Sequence, residues 1–277
     1  MIKFIMITNS PGLAHMAELN GVGRIFVDLE QLGKKARQGH LSTHISNHST
    51  DDVALVKYAL EKAELLVRLN PLNKHTHLEV EQAINNGADI LMLPMFRASD
   101  EVEEFARMVD RRVKIIPLVE TNGAVESIKN VVNIQGVSEI YIGLNDLHLD
   151  MQMKFIFEPL AIGLIDKIAA VIKSAGLPFG FGGIARAGEG IIPGELVLGE
   201  HIRLGSSSVI LSRTFCRGID LKISSGPDNI LATEIQKLEN SAKKSKLRSE
   251  EQVESDRRRL QMLVEDVVKS RSNETAI

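Results

Sequence analysis

Short apolar runs alternate with amphipathic stretches from the first residues to about position 216. Eight of the runs read as strands: IKFIMIT (2–8), GRIFVDLE (23–30), ELLVRLN (64–70), DILMLPM (89–95), VKIIPLVE (113–120), EIYIGL (139–144), LPFGFGG (177–183) and SSVILSR (207–213). They are apolar almost throughout rather than at every second position, as strands covered on both faces must be. Helical spacing occupies 51–62, 76–86, 99–109, 121–132, 158–175 and 193–204, with helix-start chemistry such as Ser99 followed by Asp100 and Glu101. Eight strands with mostly helical connections favour a closed parallel (β/α)8 barrel of the TIM type, an α/β fold, over an open doubly wound sheet, although periodicity does not report closure. The turn after the first run, NSPG, is not G-x-G-x-x-G, which weakens the dinucleotide-binding form of the open sheet.

Two segments break the alternation. Residues 31–50, QLGKKARQGHLSTHISNHST, lack apolar periodicity and follow a strand directly, and a long loop inside a compact domain commonly carries function. Beyond SSGPDN (224–229) the chain becomes a polyampholyte with helical spacing at Leu231, Ile235 and Leu238 and then at Val253, Leu260, Val264 and Val267. Ser249 and Gln252 stand in capping-box register, predicting two helices with a break near 248. The chain therefore divides into a barrel over 1–223 and a helical tail over 224–277. The tail has too little apolar surface to fold alone, so it must pack on the barrel or on another copy, and a homo-oligomer is expected.

Composition narrows the function classes. With 277 residues, 33 basic and 36 acidic, the net charge of −3 gives no electrostatic case for nucleic acid or an anionic membrane and leaves a small polar or anionic substrate open. No run approaches the roughly 20 apolar residues a membrane span needs, and MIKFIMITNSPG lacks the apolar length and cleavage site of a secretory signal. A single cysteine, Cys216, excludes an intrachain disulfide and fits a reducing compartment, so the cytoplasm is the expected location.

Chemistry is expected where parallel strands end, because a barrel gathers its catalytic groups there. Glu120 ends the fifth run and Asp146 follows the sixth, and two carboxylates on neighbouring strands outline a site for Mg2+ or Mn2+. The plainer reading is that Glu120 caps the helix starting at Thr121 and Asp146 holds a turn. Arg68 interrupts an apolar run near its end, and an inward guanidinium needs an anion. Either a substrate carboxylate or enolate oxygen supplies it, or Asp28 and Glu30 on the adjacent strand do; both can hold together. Gly180, Gly182 and Gly183, with Ile184, Ala185 and Arg186 and then Ser212 and Arg213, lie where many barrels bind phosphate, or else they only allow tight turns at the rim.

DLE (28–30), VRLN (67–70), GADILMLPM (87–95), PLVET (117–121) and GVSEIYIGLNDLHLDM (136–151) resemble, in order and spacing, the HpcH/HpaI aldolase and citrate lyase beta-subunit family. The resemblance is good over 23–151 and weak elsewhere, and its most specific part has the Glu and the Asp 26 positions apart. It implies a phosphoenolpyruvate/pyruvate-type barrel with Mg2+ or Mn2+ on Glu120 and Asp146 and Arg68 at the substrate's reactive oxygen. The implied activity is a class II aldolase or carbon–carbon lyase that joins or cleaves a 2-oxo acid and an aldehyde through a metal-bound pyruvate enolate. Backbone amides of the turn through Leu144, Asn145 and Asp146, with Gly182 and Gly183, are the expected further substrate contacts.

The departures fall on the acid/base. Many of the family's aldolases carry His after the strand-2 acids, its citrate-lyase-like members carry D-L-E-D, and this chain has Gln31. Replacements are His40 and His44, recurring with His48 every four residues, in competition with His75 and His77; His148 is expected to support the turn after Asp146, and zinc is disfavoured because no flanking ligand pattern accompanies the histidines. Two rivals stand beside the aldolase: a citrate-lyase-like or malyl-CoA-like enzyme acting on a CoA thioester, and a non-catalytic barrel serving as a binding or assembly module.

Overall fold

The computed structural model describes residues 2–34, 47–223 and 229–274. Eight strands, β1 (Lys3–Ile7), β2 (Arg24–Asp28), β3 (Glu64–Arg68), β4 (Ile90–Leu93), β5 (Lys114–Val119), β6 (Ile140–Ile142), β7 (Phe179–Ile184) and β8 (Ser208–Leu211), each pair in parallel with the next. β1 also pairs with β8, Ile5 opposite Ile210, so the sheet is closed. This (β/α)8 barrel resolves the choice that periodicity left open.

Helices surround it: α1 (Pro11–Leu19), α2 (Thr50–Ala59), α3 (Thr76–Asn85), α4 (Ser99–Val109), α5 (Asn122–Val131), α6 (Leu144–Asp150), α7 (Glu158–Ala161), α8 (Leu164–Ser174), α9 (Gly194–Leu204), α10 (Ile230–Lys246) and α11 (Glu250–Glu274). Among the described residues no helix is long and apolar enough to cross a membrane. Four features differ from the sequence reading. α1 was not anticipated, although its start is chemically marked: Ser10 accepts the Leu13 N–H and Pro11 occupies the first turn. The helix expected over 158–175 is two, parted at Gly163, whose φ of 74° a side chain disfavours. The expected turn at 143–146 is the first turn of a short helix, α6. At α4 Ser99 is the first helical residue rather than the cap, and Glu101 Oε1 accepts the Arg97 and Ala98 N–H groups at 2.8 and 3.2 Å.

Alternation along the strands sorts the barrel interior into layers. Ile5, Phe26, Leu66, Ile90, Met92, Ile116, Leu118 and Tyr141 pack together as an apolar middle. Stepping two residues back along the same strands gives the inward set Lys3, Arg24, Glu64, Lys114 and Glu139; stepping two forward from Phe26, Leu66 and Leu118 gives Asp28, Arg68 and Glu120. Charge therefore caps both ends of one apolar plug. The other face of the strands packs on the helices in the main core.

The tail docks on this barrel. Leu231, Ile235 and Leu238 of α10 and Leu260 and Val264 of α11 are buried in the main core, and each such side chain contributes about 1.5–3 kcal/mol of burial. The break near 248 is present, with Ser249 N–H donating to Gln252 Oε1 at 2.9 Å and Gln252 N–H to Ser249 Oγ at 3.2 Å. Arg248 at the corner donates to the Gly199 carbonyl of α9 and pairs with Asp256 of α11, each at 2.7 Å.

Candidate active site

β5 delivers Glu120 to the barrel mouth, 2% exposed. It does not cap the next helix: Thr121 does, its Oγ1 accepting the Ala124 N–H at 3.0 Å and donating to the Phe96 carbonyl at 2.7 Å. Glu120 Oε1 instead accepts the Met95 N–H at 3.0 Å, across from the end of β4. Met95 holds that amide in a left-handed conformation, φ 58°, which costs a non-glycine residue about 1–2 kcal/mol. Gly143, at the end of β6, leaves room for the carboxylate: a Cβ there would stand 2.8 Å from Glu120 Oε2. The site thus specifies its backbone on two sides of one carboxylate.

Asp146 lies in the first turn of α6, 6% exposed, and its negative charge bears directly on Glu120. Burial first, and then this neighbouring charge, hold the Glu120 carboxyl well above the usual carboxylate range; Arg68 and the Met95 amide pull the other way without prevailing. A divalent cation is the group that relieves such a pair. Among the described residues no three of His, Cys, Asp and Glu converge as a metal cluster, so two acids are what those residues offer here. Two carboxylates fit Mg2+ or Mn2+, which complete their shells with water and substrate oxygens, and give a zinc cage too few ligands.

Facing Glu120 is Arg68, at the end of β3, in register with Asp28. Its Nε donates to Asp28 Oδ1 and its Nη2 to Oδ2, both at 2.9 Å, and Nη2 lies 3.3 Å from Glu30 Oε2. The guanidinium also stands over Phe26, 5.5 Å from the ring centroid. Of the two sequence readings of this arginine the structure shows the pairing with Asp28 and Glu30, and its positive charge also acts on Glu120. Although burial raises the Asp28 carboxyl, Arg68 and Lys34 outweigh it and hold the group well below its ordinary range.

Lys34 was missed by sequence reasoning. It is 4% exposed, and its Nζ donates to Asp28 Oδ2 at 2.7 Å and lies 3.6 Å from Glu30 Oε2. No apolar pattern surrounds it; the available signal was a lysine six positions after Asp28 and four after Glu30. The loop around it is tied to the next one by Asn70, whose Oδ1 accepts the Gln31 and Leu32 N–H groups at 2.9 and 3.0 Å.

The histidines divide. His40 and His44 lie outside the described residues. His48 accepts the Asp28 N–H on Nδ1 at 3.0 Å, which makes Nδ1 the unprotonated ring nitrogen. His75 and His77 are exposed at the start of α3. His148 is buried and its Nδ1 meets the Leu144 carbonyl at 3.2 Å, supporting α6 as expected. At the β7 end, Gly182 has φ 50° and its carbonyl accepts the Tyr141 hydroxyl at 2.8 Å, while its Cβ position would stand 2.7 Å from Leu144 Cδ1. Gly182 and Gly183 therefore close the barrel beside α6. Arg186 is turned away onto the Arg217 carbonyl at 2.6 Å.

A second set of contacts steadies the acids from outside. Asp150, at the end of α6, accepts from Arg97 at 3.0 Å and from the Asn122 N–H at 2.8 Å, joining the loops after β4 and β5 to the helix that carries Asp146.

Comparison with known proteins now has a geometry to meet. No curated protein sequence matches the chain significantly. Among solved structures the chain is similar to an HpcH/HpaI aldolase from Desulfitobacterium hafniense, with TM-score 0.58, 16% identity, 76% of this chain and 85% of that one covered. It is similar also to an aldolase/citrate lyase family protein from Burkholderia cenocepacia, with TM-score 0.60, 16% identity and coverage of 78% and 90%. A third is the CitE protein of Mycobacterium tuberculosis, solved with magnesium, acetoacetate and coenzyme A, with TM-score 0.57, 13% identity and coverage of 90% and 82%. These likenesses carry the fold. The sequence profile of HpcH/HpaI aldolase/citrate lyase matches residues 6–156, more than half of the chain and the stretch that holds Arg68, Glu120 and Asp146, and the protein belongs to that family of aldolase- and lyase-type enzymes.

Proposed function

We propose that the protein is a divalent-metal-dependent carbon–carbon lyase that cleaves or forms the bond next to a 2-oxo acid, with pyruvate as the enolate-forming partner and an aldehyde as the other. The observation that carries this reading is the buried Glu120 beside Asp146, its carboxyl held up by burial and like charge, with the Arg68 cation across from it. Glu120 and Asp146 would hold Mg2+ or Mn2+. When bound, that ion supplies Lewis-acid polarisation of the keto group.

The chain's own part follows from charge. In cleavage the substrate hydroxyl gives up its proton, the carbon–carbon bond breaks, and its electron pair ends on pyruvate as the enolate while the aldehyde leaves. Arg68, fixed by Asp28 and Glu30, places a permanent positive charge where the enolate oxygen forms. The first-turn amides of α6, at Leu144, Asn145 and Asp146, would receive the substrate carboxylate, with Gly182 and Gly183 shaping the wall beside them. The base for the hydroxyl proton is assigned to His40 or His44.

The test is pyruvate release from a 4-hydroxy-2-oxo acid, measured with and without Mn2+ and with Glu120→Ala. Metal-dependent release that the substitution abolishes is the expected result. Release of acetyl-CoA from a thioester instead would move the enzyme to the citrate-lyase side of its family. Failure to bind either metal ion would sink the proposal.

A further inference from the structure

The two acids at the end of β2 are met by two cations, and they alternate. Arg68 Nη2 and Lys34 Nζ reach the same pair of oxygens, Asp28 Oδ2 at 2.9 and 2.7 Å and Glu30 Oε2 at 3.3 and 3.6 Å. Asp28 and Glu30 occupy one diagonal of a four-charge square, and Arg68 and Lys34 the other. All four are largely buried, with side chains 1–13% exposed. Burying an ammonium is costly without a compensating purpose, and Arg68 already binds both acids.

What distinguishes the two cations is what else they face. Arg68 lies between opposing attractions, with Asp28 and Glu30 on one side and Glu120 on the other. Among the described residues Lys34 pairs with Asp28 and Glu30, on the side away from Glu120. With Lys34 in place a second described cation shares the acids' charge with Arg68; with it removed, they draw the guanidinium more strongly toward β2 and away from the mouth. We propose that Lys34 is a positioning residue: it takes up the far side of the Asp28–Glu30 pair so that Arg68 keeps its guanidinium turned to the 2-oxo acid. This rests on the lyase reading of the same site. It also gives the polar segment after β2 a purpose that its composition does not announce.

The experiment uses the full chain loaded with Mn2+ and reads two affinities. Mn2+ binding, followed by the electron paramagnetic resonance signal of the free ion, reports Glu120 and Asp146. Binding of oxalate, a planar mimic of the pyruvate enolate, to the Mn2+-loaded protein is followed by calorimetry and reports Arg68. Lys34→Met is expected to leave Mn2+ affinity within about threefold and to weaken oxalate about 10- to 100-fold, the usual scale for a residue that orients a ligand-binding group. Lys34→Arg keeps the charge and is expected to keep oxalate within about threefold. The double variant Glu30→Gln/Lys34→Met removes one charge of each sign and is expected to recover oxalate binding to within about tenfold of wild type; a merely structural lysine gives no such recovery.

Oxalate affinity unchanged in Lys34→Met, or a double variant no better than that single one, overturns the proposal. If Lys34→Met does not fold, the double variant decides: a loss of about tenfold or more overturns it, and a smaller loss upholds it. Wild-type protein that binds neither Mn2+ nor oxalate would instead overturn the lyase reading, so the two failures are distinct.

Discussion

The two ends of the barrel carry charge in the same strands and put it to different use. At the end where the strands begin, Glu64 accepts from Lys3, Arg24 and Lys114 at 2.6, 3.1 and 2.5 Å, and Glu139 accepts from Arg24 and Ser208 at 3.0 and 2.5 Å. Although burial raises Glu64, hydrogen bonds from Lys114 and Lys3 and the Arg24 charge bring its pKa down to about 2. At the end where the strands finish, Glu120 moves in the opposite direction. Each lower-end acid is held by at least one cation, three of them at Glu64, and an upper-end acid faces another acid. Evolution of a stable fold alone gives no reason for the second arrangement, so the contrast marks the upper layer as the candidate working one.

The sharpest way to break that contrast is at Arg24. Arg24→Leu strands Glu139 and removes one of three partners of Glu64, and an uncompensated buried charge costs about 3–5 kcal/mol. Urea unfolding should show that loss while Mn2+ affinity stays at the wild-type value; a parallel loss of Mn2+ binding would mean that the two layers are one system. Arg24 also buries Nε and Nη1 without a partner among the described residues, so the measured cost belongs at the lower end of the range.

At the opposite layer the expected signature is rate rather than stability. Arg68→Lys keeps the charge and loses the fork that grips both Asp28 oxygens, and pyruvate formation should slow by about 10²–10³. A lysine variant with wild-type turnover would demote Arg68 to the same standing as Arg24.

Glu120 sharpens the comparison through pH. A carboxyl whose folded pKa is raised contributes stability that is complete below its unfolded pKa and lost as pH rises through the folded one. In metal-free protein, Glu120→Gln should therefore melt higher than wild type above the ordinary carboxylate range, with the gap closing as pH falls from the raised folded value down to that range. Mn2+ should raise the wild type and leave the variant nearly unmoved. Glu64 has the reverse sign: its contribution is present above the unfolded pKa and fades as pH falls toward about 2. Identical pH profiles for wild type and Glu120→Gln would remove the claim that the upper layer is strained.

The smallest effect belongs to Met95. Met95→Gly relieves the positive φ but frees the unfolded chain, so stability should change by less than about 1 kcal/mol, and Mn2+ affinity should fall only if the backbone loses its hold on Glu120. A thermal melt and a metal titration on one sample check both.

What the sequence made legible was whatever a period or a strand end can carry. The eight apolar runs, the acids Glu120 and Asp146 and the Arg68–Asp28 register all follow from strands that end together. α1 escaped because its nine residues are apolar enough to merge with the strand before them, though Ser10 and Pro11 announced a helix start. Lys34 escaped because burial of a polar side chain in an aperiodic loop leaves no pattern. The lower layer escaped for a different reason. Lys3, Arg24, Glu64 and Lys114 read as the polar edges of strands, and only closure of the sheet turns those edges into an interior.

Arg271 donates to the Lys154 carbonyl at 2.6 Å and stacks over Phe155, and Ser272 accepts from Lys154 Nζ at 2.8 Å. Those residues of α11 thereby anchor the segment that leaves the helix bearing Asp146. During synthesis all eight strands emerge from the ribosome well before position 271 does. The barrel can close while Asp146 still lacks that outer support, so the nascent chain passes through an interval in which the fold is present and the helix bearing this carboxylate is not yet fully anchored.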